Sequence, residues 1–267
     1  MKPPVFEYVA ARSLAEALAA LAEGGEDAKP IAGGQSLVPA LNMRLVHPTL
    51  LVDLGRTGLD GIARENGHVR VGATATQRSF ERSELCPALA RQALAHVGHV
   101  VTRNRGTVGG SIAHADGAAE LCLCLAALDG TVVTDRREIP AREFFVTHYT
   151  TVLEPGELVT STLWPVREEP AAFVELALRH GDYALSMAAV CGSTVAVGAV
   201  SDRPMVLEPV GALLRDATPS KELACEAGAL AATLVDPPGH AHASPAYLRH
   251  LTGTLVRRAL QRAWTSS

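Results

Sequence analysis

Two glycine-rich strings constrain this chain more than any other feature: Ala32-Gly33-Gly34-Gln35-Ser36-Leu37, and Gly106-Thr107-Val108-Gly109-Gly110-Ser111 running on to Ile112-Ala113-His114-Ala115-Asp116. Each follows a segment able to be extended and leads into an apolar run of helical character. Glycine reaches positive φ and lets backbone approach a ligand closely. N–H groups at a helix start are unsatisfied donors in a positive field, a natural seat for phosphate. Ser36, Thr107 and Ser111 add hydroxyls, and no acidic side chain interrupts residues 32–37 or 106–115. Two such loops suit a ligand with two phosphates, gripped from both sides, and hence a dinucleotide. The competing reading is two ordinary turns with glycine placed for steric reasons.

The glycines never fall as G-x-G-x-x-G, and no Gly-Lys-Ser/Thr follows them, so neither the doubly wound dinucleotide crevice nor a P-loop is indicated. The strings instead match A-G-G-x-S-L and R-N-x-G-T-[VI]-G-G-[NS]-[LI]-x-x-A-[DS]-P, the second along Arg103 to Asp116. The chain thereby resembles the flavin-binding subunits of the molybdenum hydroxylases, of the carbon monoxide dehydrogenase and xanthine dehydrogenase type. Phe6-Glu7-Tyr8, Pro48 to Asp53, Arg179 to Ala184 and Tyr247 to Leu251 look like landmarks of the same family in the same order. Two departures are Gly117, where the family usually has Pro, and Glu120, where Asp is common.

The resemblance implies an α+β chain: a PCMH-type FAD-binding fold of two α/β subdomains, residues 1–56 and 57–168. A C-terminal α+β domain follows, residues 169–267, with a three-stranded sheet and helices. It implies non-covalent FAD, its pyrophosphate clasped by Gly33, Gly34, Gln35, Ser36 and Leu37 on one side and by Gly106, Thr107, Val108, Gly109, Gly110 and Ser111 on the other. Lys29, Pro30, Ile31, Ala32 and Val159 join the implied contacts. Asp116 and Glu120 are expected to touch FAD, Glu120 at ribityl or ribose hydroxyls, although acids in a helix first turn are favoured by the dipole alone. Tyr183 is expected against the isoalloxazine ring, the alternative being a core tyrosine in a turn between strands. Asp182 either bonds the flavin edge or caps that turn. Glu175 stands where several relatives carry a basic residue, so the charge near the flavin differs. His114 and His99 are weaker candidates.

Composition excludes other classes. A formal charge of −4 with no basic cluster argues against nucleic acid. The start Met1-Lys2-Pro3-Pro4 lacks an apolar signal core, and Met187 to Val200 is too short and glycine-interrupted to span a bilayer, so a cytoplasmic chain without membrane insertion is expected. Five cysteines without C-x-x-C spacing provide no metal or iron–sulfur framework, and Cys122 and Cys124 in Leu121 to Leu125 read as small buried hydrophobes. Any electrons the chain handles therefore pass through an organic cofactor. With the resemblance, this implies two partners, a small 2Fe-2S subunit and a large molybdopterin subunit, in a dimer of heterotrimers that passes electrons to NAD, oxygen or a quinone. The competitors are a self-sufficient flavin oxidase or monooxygenase and a non-catalytic nucleotide-binding module.

Periodicity places the elements. Strand, helix, strand, helix, strand is expected up to Asp53, with Ser13-Leu14-Ala15-Glu16 as a capping box and Ser36 capping a second helix. His68 to Ala73, Thr131 to Thr134 and Glu157 to Trp164 read as strands, and Pro87 to His96 and Gly117 to Leu128 as helices. The last third predicts strands at Phe173 to Arg179, Ala188 to Ala199 and Met205 to Leu214. Helices are predicted over Ser220 to Leu234 and Ser244 to Trp264.

Overall fold

Parallel pairing organises the N-terminal third of the computed structural model, which describes residues 2–265. Strand β1 (Glu7–Ala10), helix α1 (Leu14–Gly24), strand β2 (Ala28–Ile31), helix α2 (Leu37–Asn42) and strand β3 (Leu50–Asp53) form a sheet of order β1-β3-β2. The capping box forms with its return bond moved by one residue. Ser13 Oγ accepts from Glu16 N at 3.1 Å, while the Glu16 carboxylate accepts from Arg12 N at 2.8 Å. Ser36 does not cap α2 with its side chain, because its backbone is already helical (φ −101°, ψ −44°) and not extended as a capping residue requires. Pro30 lies on β2, an edge strand, where its missing N–H breaks no ladder.

The second layer system begins with β4 (Ile62–Glu65) and β5 (His68–Gly72), continues through helices α3 (Gln77–Arg82), α4 (Ala88–Leu94), α5 (Val100–Arg103), α6 (Val108–His114) and α7 (Glu120–Ala127), and adds β6 (Thr131–Thr134) and β7 (Glu138–Pro140). A short helix α8 (Ala141–Phe144) and a hairpin of β8 (Phe145–Thr147) and β9 (Thr150–Thr151) precede β10 (Val159–Pro165). The antiparallel sheet runs β4-β5-β10-β6-β7. Helix α7 starts at Glu120, three residues later than the sequence predicts, because Asp116 Oδ1 accepts from Ala118 N at 2.8 Å and holds a turn there. The α7 cysteines are core: both thiols are buried, bonding the carbonyls of Ser111 and Leu89.

The last third corrects the sequence reading. Strands β11 (Ala171–Ala177), β12 (Ala184–Cys191), β13 (Thr194–Gly198) and β14 (Met205–Val206) make a sheet of four strands, not three. The single strand expected over residues 188–199 is a hairpin turning at Gly192 (φ +56°). The strand expected from Met205 stops after two residues, and α9 (Glu208–Leu214) begins with Pro209 in its first turn, where proline is tolerated. Helices α10 (Lys221–Leu234) and α11 (Pro245–Thr265) follow, α10 capped by Ser220 Oγ on Leu223 N.

All eight residues of β12 are buried, since it is sandwiched. Met187, Ala189 and Cys191 face the core built on α4 and α7, while Ala188 and Val190 face α10 and α11. Burial on both faces erases the alternation that locates a strand's ends in sequence, which is why the hairpin reads as one continuous run. Among the described residues no helix is long and apolar enough to cross a membrane.

Glu157 ties the β6–β7 turn to the start of β10. Its carboxylate accepts from Thr134 Oγ1 (2.7 Å), Arg137 Nε (3.0 Å) and Nη2 (2.9 Å), and Glu154 N (2.8 Å). The Arg137 bonds foremost bring its pKa down to about 2 from an ordinary 4.5. A depressed folded-state value stabilises the protein above the unfolded-state pKa and ceases to do so as pH falls toward the folded one. Glu157→Gln is expected to lose about 2 kcal/mol of stability at neutral pH, allowing for solvent around Arg137. In denaturant unfolding, the gap between variant and wild type should narrow as pH drops below the ordinary carboxylate range. A gap independent of pH would refute the assignment.

Candidate functional site

The two glycine strings meet. Ile31 at the end of β2 pairs with Asp53 on β3 and delivers Ala32 to the edge of the second layer system. A Cβ built on Gly33 would lie 2.2 Å from Arg105 O and 2.8 Å from Gly106 Cα, so only glycine permits this approach. Gly34 makes the bend at φ +71°, and Val38 N closes it on Gly34 O at 3.0 Å. Of the glycines at 33, 34, 106, 109 and 110, Gly34 is the one with positive φ. Gly109 is needed for space, its Cβ position falling 2.5 Å from Ala73 Cα.

The loops differ in what they offer. In the first, the N–H groups of Gly33, Gly34, Gln35 and Ser36 have no partner among the described residues, and the Ser36 hydroxyl bonds nothing there. In the second, the expected row of free donors is absent. Gly106 N bonds Thr102 O, Val108 N bonds Ala75 O, Gly109 N bonds Ala73 O, and Ser111 N bonds Thr107 O, at 2.7–3.1 Å. Gly110 N is taken by Thr107 Oγ1 at 3.1 Å, so Thr107 caps α6, while its own N–H and hydroxyl proton have no acceptor among the described residues. The Ser111 hydroxyl, by contrast, carries no bond among the described residues.

Against the first loop lies a cleft of about 470 Å³, lined by Ile31 to Gln35, Tyr8, Val38, Pro39, Asp53 and, next to the second loop, Arg105. Arg105 was not singled out from sequence, although it sits inside the second motif. It forms no ion pair among the described residues and supplies positive charge at the cleft. Tyr8 and Asp53 are hydrogen-bonded across β1 and β3, and that bond raises the Tyr8 pKa. Gln35 and Leu37 lie at the loop's outer end, Lys29 and Pro30 are exposed on β2, and Val159 is buried in the central core.

Beyond α6 the site becomes acidic and aromatic. Asp116 is buried, accepting from Ala118 N and, at 3.3 Å, from Tyr149 Oη. Glu120, half-buried at the start of α7, has its pKa pushed up to about 8, first by burial and then by Glu175 and Asp116. Tyr183 is 70% exposed, which excludes the core-tyrosine alternative. Burial of its hydroxyl end, then Asp116 and Glu120, raise its pKa. Asp182 caps nothing with its side chain among the described residues. The turn it occupies is held by its own N on Arg179 O and by Gly181 (φ +86°) seated on His99.

Tyr149 is a site residue that the sequence did not reveal. It sits at the tip of the β8–β9 hairpin with φ +57°, facing Ala115 at φ +52°, and Tyr149 N bonds Ala115 O at 3.0 Å. Two non-glycine residues in the left-handed region are held there by this bond and by the Tyr149 ring stacked 4.7 Å from His114. Burial and Asp116 push its phenol up to about 12, so it remains a donor to Asp116. No local signal marks it, because the contact spans the chain from 116 to 149.

The chain matches two family descriptions: FAD binding domain in molybdopterin dehydrogenase over residues 4–167, and CO dehydrogenase flavoprotein C-terminal domain over residues 171–263. It is 39% identical to the 6-hydroxypseudooxynicotine dehydrogenase complex subunit alpha of Paenarthrobacter nicotinovorans, covering 98% of this chain and 96% of that one. It is 34% identical to the carbon monoxide dehydrogenase medium chain of Afipia carboxidovorans, over 98% of each. Its structure resembles a chain of quinoline 2-oxidoreductase from Pseudomonas putida 86 with a TM-score of 0.95 and 35% identity, covering 100% and 99% of the two chains.

The contact at Gly33 yields a test. Gly33→Ala forces the loops apart by the width of a methyl group, and a cost of about 1–3 kcal/mol is expected in thermal or denaturant unfolding. Gly25→Ala, at an open position with nothing within 4 Å, carries only the backbone cost of its φ of +60° and serves as the control. Equal stability of Gly33→Ala and wild type would show that the loops are not in contact.

Proposed function

Because this chain belongs to the family of FAD-binding medium subunits of molybdenum hydroxylases, we propose that it is the electron-collecting flavoprotein of such a complex. FAD is its cofactor. When bound, FAD supplies the exchange between single electrons and electron pairs. In this reading the electrons come from 2Fe-2S clusters in a small subunit, originate at molybdopterin in a large subunit, and leave to NAD, oxygen or a quinone. The assembly is a dimer of heterotrimers in the cytoplasm. The chain divides at 56 and 168, so the cofactor lies between the first two parts.

One observation carries the reading: four backbone N–H groups in a row, Gly33 to Ser36, are uncommitted on the loop that lines the cleft, beside an Arg105 that forms no ion pair among the described residues. That donor set fits a pyrophosphate, and a Cβ at Gly33 would spoil it. Ser111 and the Thr107 hydroxyl complete the grip from the other side, with Gly106 to Gly110 as a stiff backbone wall. Leu37, Ile31 and Ala32 shape the near wall, Lys29, Pro30 and Val159 contact the cofactor at its margins, and Asp116 and Glu120 accept from hydroxyl groups. Tyr183 and Asp182 cover the ring. Attachment is non-covalent, since the loops hold no cysteine and their only histidine, His114, is stacked on Tyr149.

The purified chain is expected to carry about one FAD, released to the supernatant by acid, consistent with a dinucleotide held only by such contacts. Candidate organic substrates added anaerobically should leave the flavin band unbleached until the cluster-bearing and molybdopterin-bearing partners are present. Rapid, saturable bleaching without partners would replace this reading with a self-sufficient flavoenzyme.

A further inference from the structure

Buried carboxylates are almost always hydrogen-bonded, so an exception calls for an explanation. Glu175 on β11 is such an exception. Its side chain is 5% exposed, and its Oε2 has no hydrogen-bond partner. Its Oε1 lies 3.4 Å from His96 Nδ1, just beyond the end of α4. Phe173, two residues earlier on the same face, packs its ring 5.5 Å from the His96 ring and fixes it. The Gln92 amide bonds β11 backbone, accepting from Phe173 N and donating to Ala171 O, and makes no bond to Glu175.

Helix α4 packs on both β11 and α7, and α7 begins with Glu120. Helix α4 thus joins three titratable side chains: His96 with 37% of its side chain in solvent, Glu175 buried behind it, and, at the start of α7, the half-buried Glu120, which feels the Glu175 charge. We propose that His96, Glu175 and Glu120 form a proton relay from solvent to the flavin, with the unpartnered Glu175 Oε2 as its middle station. The proposal rests on the FAD reading of the site.

The other charges around these side chains suit this role. Asp116 and Glu175 both favour a proton on Glu120, and burial favours it more, while Arg103 opposes it. The Arg103 guanidinium is engaged by Glu81 and the Val97 carbonyl. Cys122 and Cys124 on α7 have thiols raised well above the ordinary range by burial, so they stay neutral. From the β11–β12 loop the Tyr183 phenol senses Glu120, and it too is raised. The balance is simple. Bound FAD would take up two electrons, from the iron–sulfur partner of the proposed complex, with one proton; Glu120 would hold that proton, and one from water, passed by His96 and then Glu175, would replace it.

The FAD-loaded chain is reduced by light in the absence of oxygen, and two quantities are followed: flavin midpoint potential against pH, and proton uptake by an indicator dye. Flavin content is read first from absorbance. A wild-type chain without FAD would overturn the site reading itself, and the later outcomes bear on the relay alone. In the wild type, reduction above about pH 8, where Glu120 has lost its proton, should draw in one further proton and steepen the fall of potential with pH. Glu120→Gln should remove that steepening. Glu175→Gln should move it to lower pH, since a neighbouring negative charge is gone. His96→Gln, at the half-exposed end, should leave the potentials alone and slow proton uptake by about tenfold or more. His96→Gln leaves the core intact, so it decides the matter where Glu175→Gln fails to fold. Superimposable potential curves for Glu120→Gln and wild type, or unchanged uptake in His96→Gln, would overturn the relay.

Discussion

Everything at the cofactor site depends on the close approach of Gly33 to the Arg105–Gly106 backbone. Two sheets that share few other contacts are registered by it: the parallel three-stranded sheet delivers one loop, and the helices beside the antiparallel sheet deliver the other. The second loop is tied down before any ligand arrives. Its backbone bonds to Ala73 and Ala75, just after β5, and to Gln77, the first residue of α3, so it moves only if that region moves. A stiff wall against an open row of donors is a preorganised site, in which binding orders little that was free.

That division of labour was half legible in the sequence. Glycine at 33, 34, 106, 109 and 110 announces either positive φ or close approach, and the string alone cannot say which. The structure assigns positive φ to Gly34 and close approach to Gly33 and Gly109. Thr107 shows the same ambiguity: a hydroxyl next to glycines serves a phosphate or a helix cap, and here the cap takes its lone pair. The element order of the first third was legible because its strands and helices alternate and Ser13 caps the first helix, although Ser36 does not cap the second. The hairpin of β12 and β13 was not, because a strand buried on both faces has no polar positions to mark its ends.

Tyr149 and Glu175 show a second kind of limit. Each matters through a partner far along the chain, Asp116 for one and His96 with Glu120 for the other, and no local pattern encodes such a pairing. Glu175 at least stood out as an acid in Phe173-Val174-Glu175, within an apolar strand. Only the packing of α4 against β11 turned that oddity into a buried oxygen without a partner.

The placement of charge along the site follows from distance. Acids beside a pyrophosphate would repel it, and the proposed reading sets Asp116 and Glu120 against the same cofactor as Gly33 to Ser36. Helix α6 separates them: seven residues at 1.5 Å each put about 10 Å between its first turn and the Asp116 turn. At an effective dielectric constant of about 20, repulsion between unit charges falls from about 4 kcal/mol at 4 Å to under about 2 kcal/mol at that spacing. The same length accommodates an extended polyol between a phosphate and a ring, and in the proposed reading its hydroxyl groups would meet acceptors in Asp116 and Glu120. A short helix between the backbone that Gly33 abuts and an acid-rich turn thus matches a ligand that is anionic at its centre and hydroxylated toward its ring.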